Sequence, residues 1–379
     1  MIHRLDRRAF VKWSCLGIVG AFCAAAITPS RRPTPATSLA TTTTNTTSST
    51  TTSSTTTSST TVPPPTSEPV TTTSTPPATI STLPPGSLPT FDNTGVPADV
   101  TLTPSTLLLS SDAAEQPTRA IDGNTYKVFS GLLFDFGTTG NYFDVDDPFV
   151  LFENCQFTTA SLVSNSSSMV QAESVALNGL IFDHCTFDGG PFHNRNAQSD
   201  YGLKAIACNC TRFGNAAFEM NNREGDADME VRDCYLFEPQ GWNPSDHVDG
   251  IQVGGGRNVT IVNNTVLITP YGGTDGDTDY VSNSALGLWA ELGNVTGTVL
   301  VDHNYLAGGG RIMYLEQKSP YAWQGPVTVS DNVFDREFTK HGGIWGVLFP
   351  DGLPDNLAWT GNIWEDGTAV SLGAATATY

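Results

Sequence analysis

Eight-residue blocks of alternating apolar and polar positions recur along the chain from residue 150 onward. They read VLFENCQF (150–157), LIFDHCTF (180–187), MEVRDCYL (229–236), VTIVNNTV (259–266), VLVDHNYL (299–306), VTVSDNVF (327–334) and LAWTGNIW (357–364). Positions one, three and eight are apolar, and position six is Cys or Asn. The sixth positions are Cys155, Cys185, Cys234, Asn264, Asn304, Asn332 and Asn362, separated by 30, 49, 30, 40, 28 and 30 residues. The gap of 49 holds one further copy, IACNCTRF (206–213), which puts Thr211 at the sixth position. Period-two alternation predicts, for each block, a strand, a turn near position six and a second short strand. No helical pattern of comparable length appears.

Strands that repeat at this interval without Asn-Gly hairpin turns predict a coil wound in one direction, each turn stacking about 4.8 Å above the last. Like residues then stack on like, and a column of Asn amides bonds up and down the stack, satisfying buried polar groups. Alongside the blocks stand the opening NTGVPADVTLTPS (93–105) and the mid-domain HVDGIQVGGGRNVTIVNN (247–264). Together these features resemble the right-handed parallel β-helix of the pectate-lyase superfamily, and a group of secreted bacterial β-helix proteins. The resemblance implies an all-β, right-handed parallel β-helix (solenoid) with a Cys/Asn ladder over 91–379. It leaves the reaction open, because that fold hosts lyases, hydrolases, esterases, tailspikes and adhesins.

The preceding residues are of another kind. Arg7-Arg8 lies ahead of an apolar stretch from Trp13 to Ile27 with Ala24, Ala25 and Ala26, the layout of a twin-arginine export signal over 1–28. That stretch is shorter than the roughly 20 residues of a spanning helix, so no stable membrane insertion is expected once the signal is cleaved. Residues 29–90 are almost wholly Thr, Ser and Pro, a composition that predicts a disordered linker. A secreted or cell-wall-associated protein, monomeric, is the expectation. Residues 91–379 carry 12 Lys and Arg against 36 Asp and Glu, a net charge of −24. Nucleic acid is thereby excluded as a partner, and a polyanionic sugar would need a local basic patch or bound cations. Five Cys fall in this domain, an odd number. Cys155, Cys185 and Cys234 take ladder positions and Cys208 an inward one, which reads as buried thiols; a Cys155–Cys185 disulfide is the alternative. No zinc-type spacing occurs.

In the superfamily, the substrate groove lies on the outer face of the strand that follows the long loop after each ladder turn. The resemblance therefore implies a site on HVDGIQV (247–253), SALGLWAEL (284–292) and RIMYLEQK (311–318). Asp249-Gly250-Ile251 resembles the Asp-Gly-Ile/Phe segment of polygalacturonase-type hydrolases, in which the Asp helps activate water beside two further carboxylates; the following coil lacks their Asp-Asp pair, for which Glu291, or Asp275, Asp277 and Asp279 in the loop, are the candidate replacements, and His247 stands two residues before Asp249. A polysaccharide lyase would instead need a base, for which Arg311, Lys318 and Lys340 are the candidates. Gln252, Trp289, Tyr314 and Trp242 are candidate substrate-binding residues, aromatic faces being good platforms for sugar rings. Asp275, Asp277 and Asp279 alternate in DGDTDY, the first ligand places of many Ca²⁺ loops, with no acidic residue at the twelfth place; an acidic solvated loop is the alternative to a calcium site. Two functions are thus expected: a polysaccharide lyase or polygalacturonase-like glycoside hydrolase, or a non-catalytic adhesin or wall-binding protein.

Overall fold

The computed structural model describes residues 83–379 apart from 85, 113–114, 138–140, 160–167, 174–178, 190–195, 225, 240–247 and 270–281. Residues 1–28, expected to be an export signal, most of 29–90, expected to be a linker, and the Trp242, His247 and Asp275/Asp277/Asp279 positions lie outside the described residues.

Each octet folds as its alternation dictates: a strand such as Val150–Glu153, a two-residue turn, then a short strand such as Gln156–Thr158. The first strands stack into a ten-stranded leading sheet, from Thr118–Ile121 to Leu357–Thr360. The second strands stack into a ten-stranded trailing sheet, from Thr103–Ser105 to Ile363–Trp364. A third sheet of seven strands runs from Phe143–Asp144 to Met313–Gln317. Neighbouring strands pair in parallel throughout, except at one end of the leading sheet, where Thr118–Ile121 and Asn124–Ser130 form a hairpin. Its loop residues Asp122 and Gly123 both have positive φ, 50° and 81°, as a two-residue type I′ turn requires. Three stacked parallel sheets with one coil per repeat make the domain a β-helix solenoid.

The turn between leading and trailing sheets is built the same way in every coil. The residue before each ladder position is left-handed: Asn154 (φ 54°), His184 (52°), Ala207 (51°), Asp233 (57°), Asn263 (52°), His303 (55°), Asp331 (52°) and Gly361 (66°). Small or polar residues tolerate this conformation best, which accounts for the Asn, Asp and Gly there. The two histidines are turn residues, each with Nδ1 bonded to the preceding aspartate, at 2.7 Å for Asp183 and 2.6 Å for Asp302.

Inside the turn the ladder is continuous. Each Asn donates back to a carbonyl one coil before: Asn264 Nδ2 to Val231 O (2.8 Å), Asn304 to Ile261 O (2.8 Å), Asn332 to Val301 O (3.0 Å) and Asn362 to Val329 O (2.9 Å). Each Oδ1 accepts from the backbone N–H of the preceding ladder residue, from Cys234 N to Asn264 (3.0 Å) through to Asn332 N to Asn362 (3.0 Å). The thiols of Cys155, Cys185, Cys208 and Cys234 make the same backward bond, to the carbonyls of Phe129, Phe152, Phe182 and Ala205. The expected Thr211 ladder position is therefore displaced by three residues. Leu203–Ile206 pairs with Leu180–Asp183, which sets Cys208 beside Cys185, while Thr211 pairs with Asp188 and Phe237 in the trailing sheet. The octet in this coil is LKAIACNC, with Cys208 sixth and Cys210 in the apolar eighth place. The five cysteines among the described residues are free and buried, and burial pushes the thiols of Cys185, Cys210 and Cys234 up from their ordinary pKa.

The core between the sheets follows the same stacking. Phe129, Phe152 and Phe182 form one column with ring centroids 5.1 and 5.4 Å apart, and Phe134, Phe157 and Phe187 another at 4.9 and 4.8 Å. These separations match the coil rise, so each ring covers the next. On the outside of the trailing sheet the chain is already in place at Ser87, whose carbonyl accepts from Asn263 Nδ2, and Gly95 N donates to Ala207 O at 2.7 Å.

Candidate functional site

Long connections, 238–247 and 269–281, precede Val248–Gly255 and Ser282–Ala290, and a short one, 309–312, precedes Met313–Gln317; the outer face of these three neighbouring strands of the third sheet gathers the candidate residues. Strict alternation would send Asp249 inward with Ile251 and Val253. The backbone breaks that alternation. A Cβ at Gly250 would lie 2.4 Å from the core side chain of Val266, so position 250 faces inward as well as 251, and Asp249 is left facing out. Two consecutive inward positions recur next door, where the N–H groups of Ala285 and Leu286 both donate to Ile312 O. The glycine is required because the opposing wall leaves no room for a side chain.

Asp249 pairs in register with Ser284 and Ala216. Its Oδ1 accepts from Ser284 Oγ and from Asn283 Nδ2 (3.0 Å). Its Oδ2 has no hydrogen-bond partner among the described residues, although the residue is only 1% exposed. Burial pushes the carboxyl up to about 7, against the two hydrogen bonds, which pull it down; the Glu291 charge adds to the rise. Near neutrality Asp249 therefore holds a proton for much of the time, and Oδ2 is the oxygen free to carry it. Burial, the Asp249 charge and that of Glu316, against the opposing pull of Arg311, push the Tyr314 phenol up to about 12, so it stays a hydrogen-bond donor.

Around this acid lies a polar and aromatic surface. Glu219, Gln252, Gly287 and Tyr314 occupy one column of adjacent strands. Glu219 is fully buried and accepts from Asn221 Nδ2. At Gly287 an added Cβ would fall 2.2 Å from Trp289 Cη2, so the indole lies directly over that glycine. The indole is tilted against Tyr314 at 5.7 Å, and Tyr314 against Phe349 at 5.2 Å. Lys318 Nζ stands 5.6 Å over the Trp289 ring, 2.7 Å from Glu291 and 3.9 Å from Glu316.

The sequence thus names Asp249, Gln252, Glu291, Trp289, Tyr314 and Lys318 on one face, and the structure brings them together there. Arg311 is placed differently. It is buried, and its guanidinium donates to Leu348 O (3.1 Å), Ala377 O (3.2 Å) and Thr378 Oγ1 (2.8 Å). It ties the C-terminal residues to the last coil, and burial lowers its pKa. Asn283, Ser284 and Glu219 are the members that sequence reasoning missed. Ser284 was accessible in principle, since the strand SALGLWAEL begins with it and aligns it with Asp249. Comparison of the chain with protein-family models, with curated proteins and with solved structures finds no match.

Proposed function

We propose that this chain is an exported glycoside hydrolase of polysaccharides, built on a right-handed solenoid of the pectate-lyase type, with Asp249 as the proton donor. The observation that carries the reading is a buried carboxyl whose pKa lies near 7, with one oxygen held by Asn283 and Ser284 and the other unpartnered beside an aromatic platform. A general acid works best when its pKa is close to the working pH, and glycosidases raise one carboxyl in this way. Half-buried Tyr314 offers a ring face for a sugar, Trp289, 6% exposed beneath Lys318, would add its own once that side chain moves aside, Asp249 Oδ2 delivers the proton to the glycosidic oxygen, and Glu291, held by Lys318, supplies the second carboxylate. The right-handed sense follows from the strong preference of parallel strand crossovers for that hand. Residues 1–28 are read as the twin-arginine signal and 29–90 as the linker of a secreted or wall-associated protein. Among the described residues no helix is long and apolar enough to cross a membrane.

Hydrolase is favoured over lyase because two of the three candidate bases are engaged at or beside the site: Arg311 with carbonyls at the C-terminal end, Lys318 with Glu291. A polysaccharide panel scored by new reducing ends and by absorbance of unsaturated uronates tests this. The expected product is reducing ends without that absorbance, and Asp249→Asn should lower turnover by about 10²- to 10⁴-fold at similar melting temperature. Unsaturated product would make the protein a lyase, and no product from any polymer would make it a binding module.

A further inference from the structure

We propose that the glycan taken by this site is a polymer of hexosamines with free amines, one protonated amine sitting where the Lys318 ammonium now lies. This rests on the glycan reading above and adds the charge of the substrate.

The charge inventory of the rim is one-sided. Glu291, Glu316 and Asp351 lie close enough that the charges of Glu291 and Asp351 both act on Glu316, and the cation that reaches them is Lys318. Arg311, the other nearby cation, spends its guanidinium hydrogen bonds on backbone carbonyls and Thr378, although its charge still acts on Tyr314 and Asp351 and it stands 5.9 Å over the Phe349 ring. Asp249, protonated for much of the time near neutrality, adds a buried oxygen without a partner among the described residues but little negative charge. A polyuronate would carry negative charge into this field with no described cation left to receive it, which costs affinity and slows encounter.

The same geometry suits a cation. An ammonium against a carboxylate and over an indole face is attracted by both. The chain fills that seat with its own Lys318, on a long stem whose side chain is 45% exposed. A sugar amine entering from solvent would exchange one ammonium for another, with Lys318 swinging into water, and its pyranose ring would lie along Trp289 and Tyr314. No pairing between Glu291 and the aromatic platform has to be rebuilt in that exchange.

The test is calorimetric binding to the full chain of three matched β-1,4-linked tetramers, of glucose, glucosamine and glucuronate, and of the same three charge classes on a galactose frame. The glucosamine or galactosamine tetramer should bind about tenfold tighter than its neutral counterpart or better. The preference should shrink as salt is raised from about 10 mM to about 300 mM. Lys318→Met should bind the amine several-fold tighter, and Glu291→Gln should erase the preference, both at unchanged melting temperature. Tighter binding of a uronate tetramer, with or without added calcium, would overturn the inference, as would weaker amine binding by Lys318→Met. Equal binding of neutral and amino tetramers would also overturn it while leaving the glycan reading intact; no binding of any class would bring down that reading itself.

Discussion

At the scale of single residues, the account turns on a carboxyl that the fold keeps out of water. Asp249 has a folded pKa of about 7, above the ordinary aspartate range reached when the chain unfolds. Between those values the folded state binds more protons than the unfolded one, so stability falls as pH rises. The contribution is fully present below the ordinary aspartate range and is lost as pH climbs through about 7. Depressed carboxyls act in the opposite sense: Glu153, bonded to Arg119, and Asp228, bonded to Arg257, lose their contribution only as pH falls below the ordinary carboxyl range. Wild type should therefore lose stability relative to Asp249→Asn from about pH 4 to about pH 7, by about 1.4 kcal/mol at most per pH unit, and little further above that. Denaturant titrations at several pH values check this; parallel curves for the two proteins would refute it. The outward turn of Asp249 was not legible in the sequence. Alternation from Ile251 and Val253 points it inward, and only the paired inward positions 250 and 251, packed against Val266, reverse that.

At the scale of elements, the ladder turn was the most legible feature, because burial on one side imposes period two and a stacked amide imposes Asn at one place. Seven of the octets stand where the alternation puts them. The eighth slipped by three residues because Cys208, Cys210 and Thr211 are similar in size, and only strand pairing with Leu180–Asp183 distinguishes them. The ladder carries its own prediction. Asn304 bonds to Ile261 O and to Asn332 Oδ1, and accepts from Asn264 N and Nδ2. Asn304→Leu should cost about 3 kcal/mol or more, since several buried groups lose partners at about 1–3 kcal/mol each. Thr211→Ala, at a half-buried trailing-sheet position, should stay within about 0.5 kcal/mol, and Cys208→Ala should cost clearly more than that. Chemical denaturation of the three variants decides it; a larger loss for Thr211→Ala than for Cys208→Ala would return the ladder to Thr211.

At the scale of the molecule, stacking explains how residues as distant in sequence as Asp249, Trp289 and Tyr314 come to share one face: adjacent strands of the third sheet bring them into register. That gathering was legible once the coils were counted, since each coil delivers one strand to the same sheet. The role of Arg311 was not, because its acceptors lie 37, 66 and 67 residues further on, in a tail whose path over the last coil leaves no periodic trace. What the whole solenoid provides is a dry, acidic outer floor in which one carboxyl keeps its proton at neutral pH. The most direct measurement is the side-chain carboxyl resonance of Asp249, followed by carbon-13 NMR across pH and assigned by its loss in Asp249→Asn. A midpoint within about one unit of 7 is the predicted result; a midpoint near the ordinary aspartate value of about 3.9 would contradict the assignment of Asp249 as proton donor.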